Sequence, residues 1–200
     1  MLLWAGAGLL ALVLVVGGAW FWISTQAEHA QALHADALAQ AHAARNAQSA
    51  AAARTAAVSA LENALAQAPG AALAAQSAYE LGNLRFDAGQ YAGARAAYEV
   101  ALAKAGGGTV RTLAQAGVAA TWEAERNFAK AIEAYTAAAA GEKPGQFYYE
   151  DLLLGLARNQ ELAGRRDDAI QTYRRLLKDV PKLRREDEIR GRLASLGVSG

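Results

Sequence analysis

No cysteine occurs in the 200 residues, so the chain can form no disulfide and offers no thiolate nucleophile and no Cys-ligated zinc. Proline is scarce, at three residues. β-Branched side chains are sparse as well, whereas Ala makes up roughly a quarter of the chain, far above ordinary usage. Proline breaks helices and β-branched residues disfavour them, while Ala is the best helix former. The composition therefore predicts an all-α protein. An excess of one charge is missing too. The net charge is +1, which argues against nucleic acid as a partner. There is also no nucleophile elbow, no phosphate loop and no HExxH. Gly106-Gly107-Gly108 follows no strand. Asp167-Asp168 and Glu186-Asp187-Glu188 read as helix-start and surface charges rather than acid–base pairs. The expectation is a binding protein, not an enzyme, with no cofactor and no metal.

Charge is absent locally as well. Leu2 to Ile23 contains no charged residue. At about 1.5 Å per residue this run reaches roughly 33 Å as a helix, enough to cross the hydrocarbon core of a bilayer. Trp20, Phe21 and Trp22 close it, as aromatics do at a membrane–water interface. A cleaved signal peptide is the rival reading. It calls for a basic start, a shorter apolar stretch and a small-residue cleavage site, none of which the run supplies. Residues 1–23 are thus expected to be a transmembrane helix in the lipid bilayer.

Residues 24–55 follow as an Ala-rich stalk, predicted helical. Ala27, Ala30, Leu33, Leu38 and Ala41 form a weak apolar stripe at helical spacing. His29, His34, Asp36 and His42 invite a metal reading, but a helical site needs ligands one turn apart and no two of these His are four residues apart. They read as solvated polar residues on the stalk.

The remainder repeats. Ala57, Ala94, Ala131 and Ala169 recur at intervals of 37, 37 and 38 residues. Four positions on stand Leu61, Tyr98, Tyr135 and Tyr173, and three further Ala64, Ala101, Ala138 and Leu176. Pro69 and Pro181 each lie twelve residues after the first small residue of their copy, where a helix should end. Such a period marks a stacked array in which one helix pair cannot bury its apolar face alone. Small residues at Gly82, Ala119 and Ala157 let paired backbones approach, and Tyr98, Tyr135 and Tyr173 plug the space between repeats.

The pattern resembles the tetratricopeptide (TPR) repeat. Leu81, Gly82, Gly89, Tyr91, Ala94, Tyr98 and Ala101 match it best, and Ala78 and Arg85 depart where Trp and an aromatic are usual. The expected organisation of residues 56–200 is a partial repeat (56–69), three repeats (75–108, 112–145 and 150–183) and a capping helix (184–197). Ile189, Leu193 and Leu196 give that last segment its apolar face.

In such repeats the first helix of each pair lines a concave groove. The resemblance places Tyr79, Asn83 and Phe86 there, then Ala116, Ala120 and Glu123, then Leu154, Arg158 and Glu161. This mixed surface suits a peptide or a helix from a partner. Phe147, Tyr148 and Tyr149 read either as repeat core or as an exposed aromatic anchor. Between Arg165 and Arg192, ten Arg/Lys stand against six Asp/Glu, a solvated basic face by default.

A membrane span ending in Gly17-Gly18-Ala19-Trp20, an Ala-rich stalk and then repeats also resembles the ancillary SecYEG translocon subunits, the YfgM family. That resemblance implies a scaffold in the bacterial inner membrane with its soluble part in the periplasm. Its partners would be SecYEG, periplasmic chaperones or client proteins. A structural or assembly subunit of another envelope complex (pilus, secretion or cell division) is the alternative.

Overall fold

A computed structural model describes the backbone of residues 2–46, 50–181 and 183–198, and the side chains of 14–45, 51–181 and 183–198. Among them every element is helical: α1 (Leu2–Asn46), α2 (Ala50–Gln67), α3 (Ala74–Asp87), α4 (Tyr91–Lys104), α5 (Gly108–Ala124), α6 (Phe128–Ala140), α7 (Tyr149–Leu162), α8 (Arg166–Asp179) and α9 (Glu186–Ser195). This is the all-α class that the Ala content predicts. The chain divides into two compact units, residues 1–77 and 78–200.

In the first unit α1 and α2 pack through very small side chains. Ala37, Leu38, Ala41 and Ala44 of α1 and Ala57, Leu61 and Ala64 of α2 are buried. The apolar stripe expected on α1 is shifted: Ala27 is exposed, Ala30 and Leu33 are half-buried, and the buried face continues through Ala37 to Ala44. His34 is the larger correction. Read as a solvated stalk residue, it is fully buried. Its Nε2 lies 2.9 Å from the Ala68 carbonyl oxygen and its Nδ1 2.8 Å from Ser77 Oγ. A carbonyl only accepts, so Nε2–H donates to it, and Nδ1 and the Ser77 hydroxyl share the second hydrogen bond. Sequence periodicity places His34 on the inner face only once the partner helix is known. His29, Asp36 and His42 are exposed as expected, except that His42 sits beside the buried Ala41.

Met1 and the side chains of residues 2–13 fall outside what is described, so most of the expected span does too. Among the described residues no helix is long and apolar enough to cross a membrane. The part that is described, Leu14 to Ile23, carries Leu14, Val15, Val16, Trp20, Phe21, Trp22 and Ile23 at 60–71% exposure.

The second unit consists of three helical hairpins (α3–α4, with α3 counted from Ala78, α5–α6 and α7–α8) and α9. Each hairpin turns in the same way. Gly89, Arg126 and Gly164 adopt left-handed φ of 73, 59 and 73°. The next residue's N–H then reaches back to the carbonyl five residues earlier: Gln90 to Arg85, Asn127 to Trp122 and Arg165 to Gln160. This is the Schellman way of satisfying the last carbonyls of a helix.

Packing within the first hairpin and between hairpins rests on Tyr rings set against glycine. A Cβ at Gly82 would sit 2.4 Å from Tyr98 Cε1, and one at Gly117 would sit 2.7 Å from Tyr98 Cε2. A Cβ at Gly155 would sit 2.5 Å from Tyr135 Cε1. Only glycine leaves room for the ring at these places. The opposite ends of two hairpins are tied by equivalent hydroxyl–carboxylate hydrogen bonds, Thr112 to Glu142 and Tyr149 to Asp179, both 2.5 Å. At the C-terminal end Ile189 and Leu193 of α9 are buried in the core of the last hairpins, and the Arg166 guanidinium donates to the Leu196 carbonyl. Much of the basic excess there is balanced locally by pairs one helical turn apart, such as Arg165–Asp168 and Arg190–Glu186.

Candidate partner-binding groove

The first helices of the three hairpins, α3, α5 and α7, present equivalent positions to one side. Tyr79, Ala116 and Leu154 share one register; Asn83, Ala120 and Arg158 share the next, one turn along. These residues and Phe86 line a groove of about 320 Å³. Small side chains at Ala116, Gly117 and Ala120 make its floor shallow in the middle, and the rings of Tyr79, Phe86, Tyr98, Tyr135 and Tyr148 complete the lining.

Glu123 and Glu161 are not in the lining. Both carboxylates are held by the tyrosine of the following helix: the Tyr135 hydroxyl donates to Glu123 Oε2 at 3.2 Å, and Tyr173 to Glu161 Oε1 at 2.5 Å. The first hairpin has Phe86 at this register, so Tyr98 turns instead to Asn83 Oδ1 at 2.8 Å, one turn earlier. Asn83 also donates to Glu80 Oε2 at 3.3 Å. It lines the groove with both ends of its amide engaged.

Glu123 is the most heavily partnered acid. Arg158 grips it through Nε and Nη2 at 2.7 and 2.8 Å, and Asn159 Nδ2 donates to it at 2.9 Å. Burial raises the Glu123 carboxyl, but the hydrogen bonds from Arg158, Asn159 and Tyr135 and the charge of Arg158 outweigh it and hold the pKa below its ordinary value. Tyr135 and Tyr173 shift the other way, raised first by burial and then by the neighbouring carboxylates. Both stay protonated and serve as donors.

Sequence reasoning missed several lining residues, and the signals differ. Gly117 lines the groove and faces the Tyr98 ring; the repeat interval points to it through Gly155, 38 residues on, which faces the Tyr135 ring outside the lining. Tyr148 lies in the α6–α7 turn, outside any periodic pattern. It has a left-handed φ of 78°, and its ring lines the groove beside Asp151. The three neighbouring aromatics take three different places: Phe147 is 68% exposed, Tyr148 is half-buried and Tyr149 is fully buried in the core. Arg185 reaches the lining from the segment before α9 and is held by Glu188.

No family model matches the sequence, and no curated protein matches it. Two crystal structures of the nearly identical TPR-like repeats of a designated kinesin light chain from Podosopora anserina are similar in fold. One has a TM-score of 0.56 at 20% identity, over 70% of this chain and 72% of that one. The other, a point variant of the same protein, has a TM-score of 0.56 at 18% identity, over 80% and 76%. At such identities the likeness is one of backbone architecture, and it agrees with the helix pairing and the repeat interval: the chain has the fold of TPR-like repeats.

Proposed function

We propose that this protein is a membrane-anchored scaffold whose repeat groove holds a protein partner. The observation that carries the reading is the groove itself. Equivalent positions on α3, α5 and α7 converge on it, and it is walled by aromatic rings and floored by small residues, as a site for a peptide segment would be. Glu123 and Glu161, on the same helix face as the lining, hold tyrosines and Arg158 in place, which favours binding over catalysis. Anchoring is supported by the uncharged run 2–23 and the exposed apolar side chains from Leu14 to Ile23. On this reading the span lies in a bacterial inner membrane, the repeats lie in the periplasm, and the partners are the Sec translocon and periplasmic chaperones or clients.

The test is capture of the full-length chain from envelopes in mild detergent, alongside a Tyr79→Ala, Phe86→Ala double variant checked for unchanged helicity by circular dichroism. The wild type should bring down SecY or a periplasmic chaperone and the variant should not. Recovery of pilus, secretion or division components instead removes the translocon link. Capture unchanged by the variant removes the groove. Release of the chain from membranes by alkaline carbonate removes the anchor.

A further inference from the structure

The polar groups that line the groove fall into two sets. In the first set every group already has a partner. Arg158 is held on Glu123, and Arg185 donates to Glu188 through Nε and Nη2 at 2.7 and 2.9 Å. The hydroxyls of Tyr98 and Tyr135 donate to Asn83 and Glu123. The second set comprises the hydroxyls of Tyr79 and Tyr148 and the carboxylate of Asp151. Among the described residues these three groups line the groove without a hydrogen-bond or ion-pair partner.

The second set is also grouped in space. Burial, and then the nearby Tyr79 and Asp151, raise the Tyr148 hydroxyl above its ordinary value, so its ring is neutral. The backbone that holds the ring there is strained, because φ of 78° suits glycine and not tyrosine. Asp151 stands in the first turn of α7, where the helix dipole favours an acid. The dipole accounts for a carboxylate at that position. It accounts neither for the strained Tyr148 nor for two unpartnered hydroxyls beside it.

Charge decides what fits. Both arginines of the lining are held on carboxylates outside it, and Arg185 also feels the charge of Asp151, but among the described residues Asp151 is the one charged group of the lining with no hydrogen bond or ion pair of its own. An anionic group entering here would meet repulsion from Asp151. A cation would meet a carboxylate and two neutral tyrosine side chains, a combination that recognises ammonium and guanidinium groups. We propose that this end of the groove receives a Lys or Arg side chain of the partner, set on Asp151 between Tyr79 and Tyr148, with the partner's flanking apolar residues over Leu113, Ala116 and Leu154. The inference rests on the groove being the partner site.

The experiment uses the full-length chain in detergent micelles and three fluorescein-labelled heptapeptides. Their sequences are identical, Leu and Ala around a central Arg, Gln or Glu, and binding is read by fluorescence anisotropy. The Arg peptide should bind about tenfold more tightly than the Gln peptide, and the Glu peptide should bind least. Asp151→Asn should bring the Arg-to-Gln ratio close to one without loss of helicity. Tyr148→Gly relieves the strained backbone, so the melting midpoint should hold or rise while the Arg peptide weakens about fivefold. An Arg-to-Gln ratio that survives Asp151→Asn, or a Glu peptide that binds best, overturns the inference. If those peptides still lose binding in the Tyr79→Ala, Phe86→Ala variant, the groove stands as the site and only the cation is lost. Failure of all three peptides to bind removes both.

Discussion

The two units pair helices by opposite means. In residues 1–77 the contact is Ala against Ala, with Leu38 and Leu61 as the only large apolar side chains among the buried ones described for α1 and α2. Such a face is nearly uniform along its length, so sterics alone set register weakly. A directional group does that work: His34 fixes α1 against the Ala68 carbonyl and Ser77. In residues 78–200 register is set by shape. The Tyr98 and Tyr135 rings meet glycine where any Cβ would collide, and the hydroxyl at each tip then finds Asn83 or Glu123. A polar pin suits a smooth interface, and a steric socket suits a periodic one.

The socket is the easier of the two to break. Gly117→Ala places a Cβ 2.7 Å from the Tyr98 ring, which is already closely packed against Gly82. Overpacking of this kind should cost about 3 kcal/mol, at the upper end of the usual range. The control is Gly191→Ala on α9, where a Cβ meets nothing within 4 Å; it should gain roughly 0.5–1 kcal/mol from helix propensity. Urea unfolding of the pair measures both. Similar effects from the two substitutions would mean that the tyrosine–glycine contact does not set the packing.

The pin comes next. His34→Leu roughly keeps the volume of the buried side chain but removes both hydrogen bonds. The Ala68 carbonyl and the Ser77 hydroxyl then lose a partner, at a cost of about 2 kcal/mol. The loss should appear as faster amide hydrogen exchange in α2, with α5 to α8 unaffected. Equal acceleration in the two units would show that they do not unfold separately.

How much of this was legible in the sequence follows from the same contrast. The second unit could be read because its contacts repeat. Ala94, Ala131 and Ala169 are all fully buried where the intervals place them, and Tyr98, Tyr135 and Tyr173 are nearly so. Seven of the positions expected to face the groove line it: Tyr79, Asn83, Phe86, Ala116, Ala120, Leu154 and Arg158. Glu123 and Glu161 share that helix face but are drawn away by tyrosines from the next helix, a contact that spacing along one helix does not encode. Tyr148 and Asp151 escaped for another reason. One sits in a turn and the other at a helix start, where position depends on backbone conformation rather than on period. His34 escaped because an Ala-rich helix has almost no hydrophobic contrast around its circumference.

Glu123 offers a smaller and more chemical test of the second unit. Its pKa is lowered in the folded state, so its contribution to stability is present above the ordinary carboxylate value and is lost as the pH falls through the folded value. Glu123→Gln keeps the shape and forfeits the charge. It should cost about 1 kcal/mol at neutral pH, because Arg158 is half exposed and solvent screens part of the pair. It should also flatten the acid limb of a stability–pH curve. A variant with an unchanged acid limb would show that other carboxylates set it and that Glu123 serves Tyr135 as a neutral acceptor would.

The smallest effect has the opposite sign. Gly89 and Gly164 occupy the left-handed position of their turns without penalty, but Arg126 occupies the equivalent position with a φ of 59°. The helix end is closed by the same backward hydrogen bond in all three hairpins, so the geometry is imposed by the array and not chosen by the residue. A non-glycine residue there costs about 1–2 kcal/mol, and glycine gives back roughly half of that through the greater entropy of the unfolded chain. Arg126→Gly should therefore gain about 0.5–1 kcal/mol and raise the melting midpoint by about 2–4 °C. Since Arg126 is exposed, little packing is lost with it. A fall in the midpoint would mean that its side chain contributes more than the strain it causes, and the second hairpin would then owe part of its stability to a surface contact rather than to its sockets.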